Sequence, residues 1–323
     1  AIGDCLAAAL EWSGHDVTRE FYVNDAGNQI NKFGASLSVR YLQLFEGEEK
    51  HPLPEDCYQG MDILDHAREF AKLYGDKYVN APEEERRKAL VDYALPLNIA
   101  ALERDLGRYR IHYDVWFRES VLHREGKVTA ICEKLKENGW AYEKEGALWY
   151  NNIKMMIEKA EKAGKPLSEA EIAELKDDVL VRANGVPTYF AADIAYHYNK
   201  FAERGFHRVI NIWGADHHGH VARLKGAMDA VGLDGDKLDI VLMQLVRLMK
   251  DGQPYRMSKR SGRAVTLTDL LDDVPIDAAR FFFNMREPNA TFDFDLDLAV
   301  QQSSENPVYY VQYAHARICS VLK

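Results

Sequence analysis

Three short stretches of the chain carry residue types whose spacing can do chemistry. The first runs from Lys250 to Arg263, Lys-Asp-Gly-Gln-Pro-Tyr-Arg-Met-Ser-Lys-Arg-Ser-Gly-Arg, with Arg247 just upstream. It sets Lys250, Arg256, Lys259, Arg260 and Arg263 against a single acid, Asp251. Gly252, Pro254 and Gly262 mark it as a loop. Positive charge concentrated on a glycine-bounded loop suits an anion, above all a polyphosphate; on charge alone a solvated basic loop is an equal reading. The second stretch is Gly214-Ala-Asp-His-His-Gly-His220. Its imidazoles and carboxylate are metal-ligand types, yet neighbours in one tight turn converge poorly on an ion. Histidines hydrogen-bonded at a strand end remain open. So does a nucleotide role, in which Gly214 permits close approach and Asp216 accepts from ribose hydroxyls. In the third stretch Tyr189 and Asp193 stand four apart at a helix start and share a face. A carboxylate beside a phenol suits a planar guanidinium. The spacing by itself favours an acid that complements the helix dipole.

These residues need elements to hold them. Residues 208–213, Arg-Val-Ile-Asn-Ile-Trp, read as a nearly continuous apolar strand, the pattern of a strand buried on both faces. Residues 214–220 are its exit turn, 221–231 the next helix, and 239–243 a further strand that leads to the basic loop. Ligands of doubly wound sheets bind outside the carboxyl ends of the strands, so both polar turns face the expected crevice. Upstream, residues 1–12 read as a helix, 17–23 as a strand, 24–29 as a polar turn and 33–45 as a helix. Residues 63–74 and 83–106 read as amphipathic helices, the second interrupted near Pro96. A short strand is expected at 114–117, a helix at 128–138 ended by Gly139, and a hairpin at 140–150 turning at Gly146. Residues 154–175 are a Lys/Glu-rich helical excursion broken near Gly164-Lys-Pro166. The stretch from about 75 to 183 lacks βα alternation and reads as an insertion between two halves of one nucleotide-type domain. A helix follows at 191–203. After the loop, 267–271 and 277–285 read as helices. Ser303 or Ser304 is expected to cap a last helix with Pro307 in its first turn, and Val311, Ala314, Ile318 and Leu322 share a face that one helix cannot bury. The expected fold is therefore α/β, a split Rossmann-type parallel sheet with a mixed α/β insertion, followed by an α-helical region.

With 323 residues the chain is long enough for about two domains. Its net charge of −10 argues against non-specific coating of nucleic acid but leaves room for a local basic RNA site. No apolar run reaches the roughly 20 residues of a membrane span, and no signal-peptide pattern opens the chain. Cys5, Cys57, Cys132 and Cys319 form no CxxC pair, as expected of reduced thiols in a cytoplasmic protein.

Taken together, these stretches resemble a known family. Arg256-Met-Ser-Lys-Arg-Ser261 resembles the Lys-Met-Ser-Lys-Ser loop of class I aminoacyl-tRNA synthetases, and Gly214-Ala-Asp216 their Gly-x-Asp strand-end turn. Five further stretches resemble bacterial arginyl-tRNA synthetases: Tyr22-Val-Asn-Asp-Ala-Gly-Asn-Gln29, Tyr189-Phe-Ala-Ala-Asp-Ile-Ala195, Trp213-Gly-Ala-Asp-His-His-Gly-His220, Asp277-Ala-Ala-Arg-Phe-Phe-Phe283 and Asn306-Pro-Val-Tyr-Tyr-Val-Gln-Tyr-Ala-His315. The Met-Ser-Lys loop alone is a weak signal; the ordered set is strong and spans nearly the whole chain.

The resemblance implies an arginine–tRNA ligase that activates L-arginine with ATP and passes it to the 3′ end of tRNA(Arg), with Mg²⁺ accompanying ATP, in a cytoplasmic monomer. It implies Lys259 as the catalytic cation on the pyrophosphate side. Gly214, Asp216, His220, Met257 and Ser258 would bind ATP with it, and Tyr189, Asp193 and His217 would bind arginine. No metal ligand is implied. Residues 1–75 would be the first part of the catalytic domain, 76–183 a connective insertion, and 184–263 its second part. Residues 264–302 would contact the tRNA stem, and 303–323 begin a helical anticodon-binding domain. Arg256 departs from the family's usual lysine. The family's His-x-Gly-His signature is expected just upstream of Ala1, and the similar form of His217-His-Gly-His220 is a coincidence. The chain thus reads as an internal fragment, inactive or nearly so alone. The alternative is a non-catalytic RNA-binding or regulatory relative, and a metal-dependent hydrolase using the histidine cluster is a third reading.

Overall fold

The computed structural model describes residues 1–255 and 265–323. The chain forms two compact units: residues 1–19, 109–111 and 125–323 make one, and residues 20–108 and 112–124 the other. Both mix helices with parallel strand pairs, as an α/β reading requires.

In the smaller unit, strand Glu20–Val23 pairs in parallel with Val115–Arg118. A parallel pair needs a crossover, here the helices Gly27–Glu46, Met61–Tyr74 and Glu83–Arg108. Their apolar faces meet around Phe33, Leu37, Tyr41, Ile63, Phe70 and Leu90. Tyr41 is fully buried and donates its hydroxyl to the Gly75 carbonyl at 2.7 Å, so the ring packs while its polar end is satisfied. Two helices approach closely at Gly34, where a Cβ would stand 3.1 Å from Val91 Cγ2. The first helix starts at Gly27 rather than near Phe33, because Gln29 and Asn31 are as compatible with a first turn as with a loop. Pro96 does not interrupt the last helix, which runs unbroken for 26 residues.

In the larger unit, strands Val209–Gly214 and Leu238–Met243 pair in parallel across helix His218–Ala230. Gly3 of helix Ile2–Trp12 packs closely against Ile212: a Cβ there would stand 3.1 Å from Ile212 Cγ1. The hairpin Ala141–Lys144 and Ala147–Tyr150 turns on Glu145 and Gly146, both at positive φ (54° and 74°), the geometry of a primed two-residue turn. A third strand, Asp178–Val181, adds antiparallel to this hairpin. It ties down the entry to helix Tyr189–Tyr198: Thr188 donates its N–H to Leu180 O at 2.8 Å and its hydroxyl to Val179 O at 2.6 Å. That helix runs on into a π-helical turn, Asn199–Glu203.

The strand expected at 239–243 is present as Leu238–Met243, and a second strand follows it before the basic stretch. After Met243 the chain turns, and Val246–Lys250 pairs instead with Phe292–Asp295 in parallel and Gln253–Pro254 antiparallel. The last helix, Pro307–Val321, is capped by Asn306, not by Ser303 or Ser304. Asn306 is 4% exposed and uses its whole carboxamide, accepting from Val308 N–H and donating to the Ala299 and Gln301 carbonyls. Beyond Val308 the apolar residues of this helix are exposed. No helix among the described residues is long and apolar enough to cross a membrane.

Candidate active site

The two polar stretches of the larger unit meet where strand Val209–Gly214 ends beside the start of helix Tyr189–Tyr198. Asp193 is half-buried on that helix, and its Oδ2 accepts a hydrogen bond from His220 Nε2 at 2.8 Å. His220 sits in the first turn of helix His218–Ala230, not in the preceding loop. Its ring is held by Phe190 on one side (5.4 Å, edge to face) and by Trp213 on the other (5.5 Å). One turn on, Arg223 Nη2 donates to His220 Nδ1 at 3.3 Å. That donor fixes the tautomer: the imidazole proton sits on Nε2 and points at Asp193. Arg223 in turn pairs with Asp178 of the third hairpin strand. Burial holds the Asp178 carboxyl above its ordinary range, with Arg223 opposing that shift. A relay thus runs from Asp178 through Arg223 and His220 to Asp193, joining one strand and two helices.

A second buried histidine braces the same helix. His197 is 1% exposed; its Nε2 accepts from Asn211 Nδ2 at 2.7 Å and its Nδ1 donates to the Asp193 carbonyl at 2.8 Å. Burial, aided by the nearby Lys200 charge, lowers its pKa to about 4. It is therefore a neutral link between the Asp193 backbone and strand Val209–Gly214.

At the strand end Gly214 leads into a single 3₁₀ turn, Ala215–His217. The Asp216 carboxylate folds back over it: a Cβ on Gly214 would stand 2.4 Å from Asp216 Oδ1. Asp216 and His217 stand 3.7 Å apart and are exposed, with the His217 ring 5.7 Å from Trp213. Tyr189 is 46% exposed, one turn before Asp193 on the same face. The arrangement offers a half-desolvated carboxylate with one oxygen engaged and an exposed phenol beside it, a setting for a planar cation. No group of three His, Cys, Asp or Glu among the described residues is placed to hold a metal ion.

Asp193 and His220, expected at different ligands, touch each other. Gly214, Asp216 and His217 share one turn, and Trp213 bridges His217 and His220. Met257, Ser258 and Lys259, with Arg256 and the remainder of the basic loop to Arg263, lie outside the described residues. Sequence reasoning missed Asp178, Arg223, Phe190, His197 and Asn211. Arg223 has a readable signal, its i+3 spacing from His220; Asp178 has none, because its strand is four residues long.

Residues 1–318 match the family model described as tRNA synthetases class I (R), catalytic domain. The chain is 57% identical over all its 323 residues to an arginine–tRNA ligase of Caldanaerobacter subterraneus subsp. tengcongensis, and 55% identical to that of Ruminiclostridium cellulolyticum. It spans 54% of the length of each. Among solved structures, an arginyl-tRNA synthetase from Campylobacter jejuni superposes with a TM-score of 0.83 at 34% identity, over 99% of this chain and 65% of that one. The Thermus thermophilus arginyl-tRNA synthetase shares the fold, with a TM-score of 0.69 at 21% identity.

Proposed function

The chain belongs to the catalytic-domain family of class I tRNA synthetases for arginine, and on that premise we propose that it supplies the active site of an arginine–tRNA ligase. The observation that carries the reading is the Asp193 carboxylate, fixed through His220, Arg223 and Asp178, one helical turn from the exposed Tyr189. Asp193 accepts the substrate guanidinium and Tyr189 gives it a flat face, with His217 at the rim. The arginine carboxylate attacks the α-phosphate of ATP; the bond to the β-phosphate oxygen breaks, and pyrophosphate leaves. A ribose hydroxyl at the 3′ end of tRNA(Arg) then attacks the adenylate carbonyl, releasing AMP. Chemistry of this kind is mostly positioning and charge stabilisation. Gly214 and Asp216 hold the ribose of ATP, and Met257 and Ser258 help seat the nucleotide. Lys259 neutralises charge developing on the leaving pyrophosphate. Mg²⁺ arrives with ATP and needs no dedicated protein cage.

His220 supports this reading in a role other than direct ATP contact. Its Nε2–H is spent on Asp193, so it orients the carboxylate. The test is amino-acid-dependent ATP–pyrophosphate exchange by the full-length protein with tRNA present. Arginine should support exchange; RNA binding without exchange would favour a non-catalytic relative.

A further inference from the structure

Tyr150 ends the second hairpin strand of the larger unit and is fully buried. Its ring meets Phe190 edge to face at 5.6 Å, and Phe190 is one of the two rings that hold His220. Its hydroxyl lies against helix His218–Ala230 at Gly226, where a Cβ would stand 3.3 Å from Oη. That hydroxyl is buried without a hydrogen-bond partner among the described residues. Burial, with the charges of Asp229, Asp178 and Asp177, pushes its pKa far above the ordinary phenol value, so it keeps its proton as a donor. A buried donor left unpaired is costly, and native proteins rarely keep one.

Three carboxylates act on this phenol, and the bonds they already make tell them apart. Asp177 accepts from Ile153 N–H at 2.9 Å through Oδ1 and from the Tyr142 hydroxyl at 2.7 Å through Oδ2. Asp229 accepts from Gly235 N–H at 2.8 Å through Oδ1 and from Lys159 Nζ at 2.7 Å through Oδ2. Asp178 spends Oδ1 on Arg223, while its Oδ2 is buried with no donor among the described residues. Tyr150 and Asp178 stand opposite each other in the antiparallel ladder, so their side chains share a face. Both reach one side of helix His218–Ala230: Arg223, which meets Asp178, and Gly226, which meets Tyr150, are three residues apart. A buried donor and a buried acceptor, each unanswered, are thus brought together. We propose that Tyr150 is a positioning residue for the substrate: its O–H answers Asp178 Oδ2, holds that carboxylate on Arg223, and so stiffens the chain through His220 to Asp193. A small turn of the carboxylate about its broad last torsion, or one bridging water, closes the link. Phe190 gives the same tyrosine a second, apolar hold on the His220 ring. The positioning role rests on the arginine reading above; the Tyr150–Asp178 bond does not.

The test is a double-mutant cycle of Tyr150→Phe and Asp178→Ala in the full-length protein, read by urea unfolding and by ATP–pyrophosphate exchange. Tyr150→Phe keeps the ring and removes only the hydroxyl, so the fold should be retained. The expected result is a lower urea midpoint and an arginine KM raised about threefold to tenfold, the worth of one hydrogen bond, with kcat and the ATP KM held within about twofold. Without Asp178 the same change should lose most of both effects. Tyr142→Phe removes the hydroxyl that Asp177 accepts on the neighbouring strand. It should lower the midpoint and leave the arginine KM within about twofold, which separates positioning from loss of stability. Tyr150→Phe against Tyr142→Phe decides the matter if Asp178→Ala does not fold. A midpoint that holds or rises in Tyr150→Phe would mark a truly unpaired hydroxyl and overturn the proposal. So would an effect undiminished without Asp178, equal losses for arginine and ATP, or a lower midpoint with an unmoved arginine KM. Arginine-dependent exchange by the unaltered protein with no change in Tyr150→Phe refutes the positioning role alone. Absence of that exchange in the unaltered protein refutes the ligase reading and the positioning role with it, and the unfolding cycle then judges the bond by itself.

Discussion

Replacing Asp193 by alanine in the full-length protein isolates the proposed substrate contact. One carboxylate oxygen is taken by His220 at 2.8 Å, which leaves the other for the guanidinium. A hydrogen bond to a charged group contributes about 1.5–3 kcal/mol. The Asp193 side chain keeps 29% of its exposure, so solvent screening puts the loss in the lower half of that range. The expected rise in the arginine KM is then about 10- to 40-fold, with the ATP KM held within about twofold. His220 loses its acceptor at the same time, but it remains packed between Phe190 and Trp213 and bonded to Arg223, so the fold should persist. The assay is ATP–pyrophosphate exchange with each substrate varied in turn, alongside thermal unfolding. An equal loss for both substrates would make Asp193 a structural acid, and an unchanged arginine KM would remove it from the site.

Two further perturbations test the supports of the site and the last helix. His197 is buried neutral, with a folded pKa near 4 against 6.5 unfolded. The unfolded chain binds the proton first, so this contribution is complete above pH 6.5 and is lost as pH falls toward 4. The loss is about 2 kcal/mol at pH 5; urea midpoints at pH 7.5 and 5 should show it, and His197→Gln should flatten that part of the dependence. Asn306→Ala should cost about 2 kcal/mol through the lost cap and two stranded carbonyls, whereas Ser304→Ala should leave the unfolding midpoint unchanged.

The sequence reveals elements whose apolar period is long or whose turns have special chemistry. Strand Val209–Gly214 and the Glu145–Gly146 hairpin are legible for those reasons. The site is legible as residue types and spacings, with Tyr189 and Asp193 one turn apart and glycine before Asp216. Its wiring is not. Asp178, Arg223 and His220 come together because a four-residue strand joins the hairpin and carries Asp178 beside helix His218–Ala230, a pairing decided by tertiary contact. Asn306 is hidden in the same way. Serine and asparagine are comparable caps by propensity, and only the carbonyls of Ala299 and Gln301 single out the carboxamide.

The most direct measurement is the ATP–pyrophosphate exchange of the full-length protein, with tRNA present, across the set of standard amino acids. Exchange with arginine, absent or at least about a hundredfold slower with lysine, is the expected result for a site that matches a planar guanidinium at Asp193 and Tyr189. Exchange supported equally by lysine, or by a different amino acid and not arginine, would contradict it.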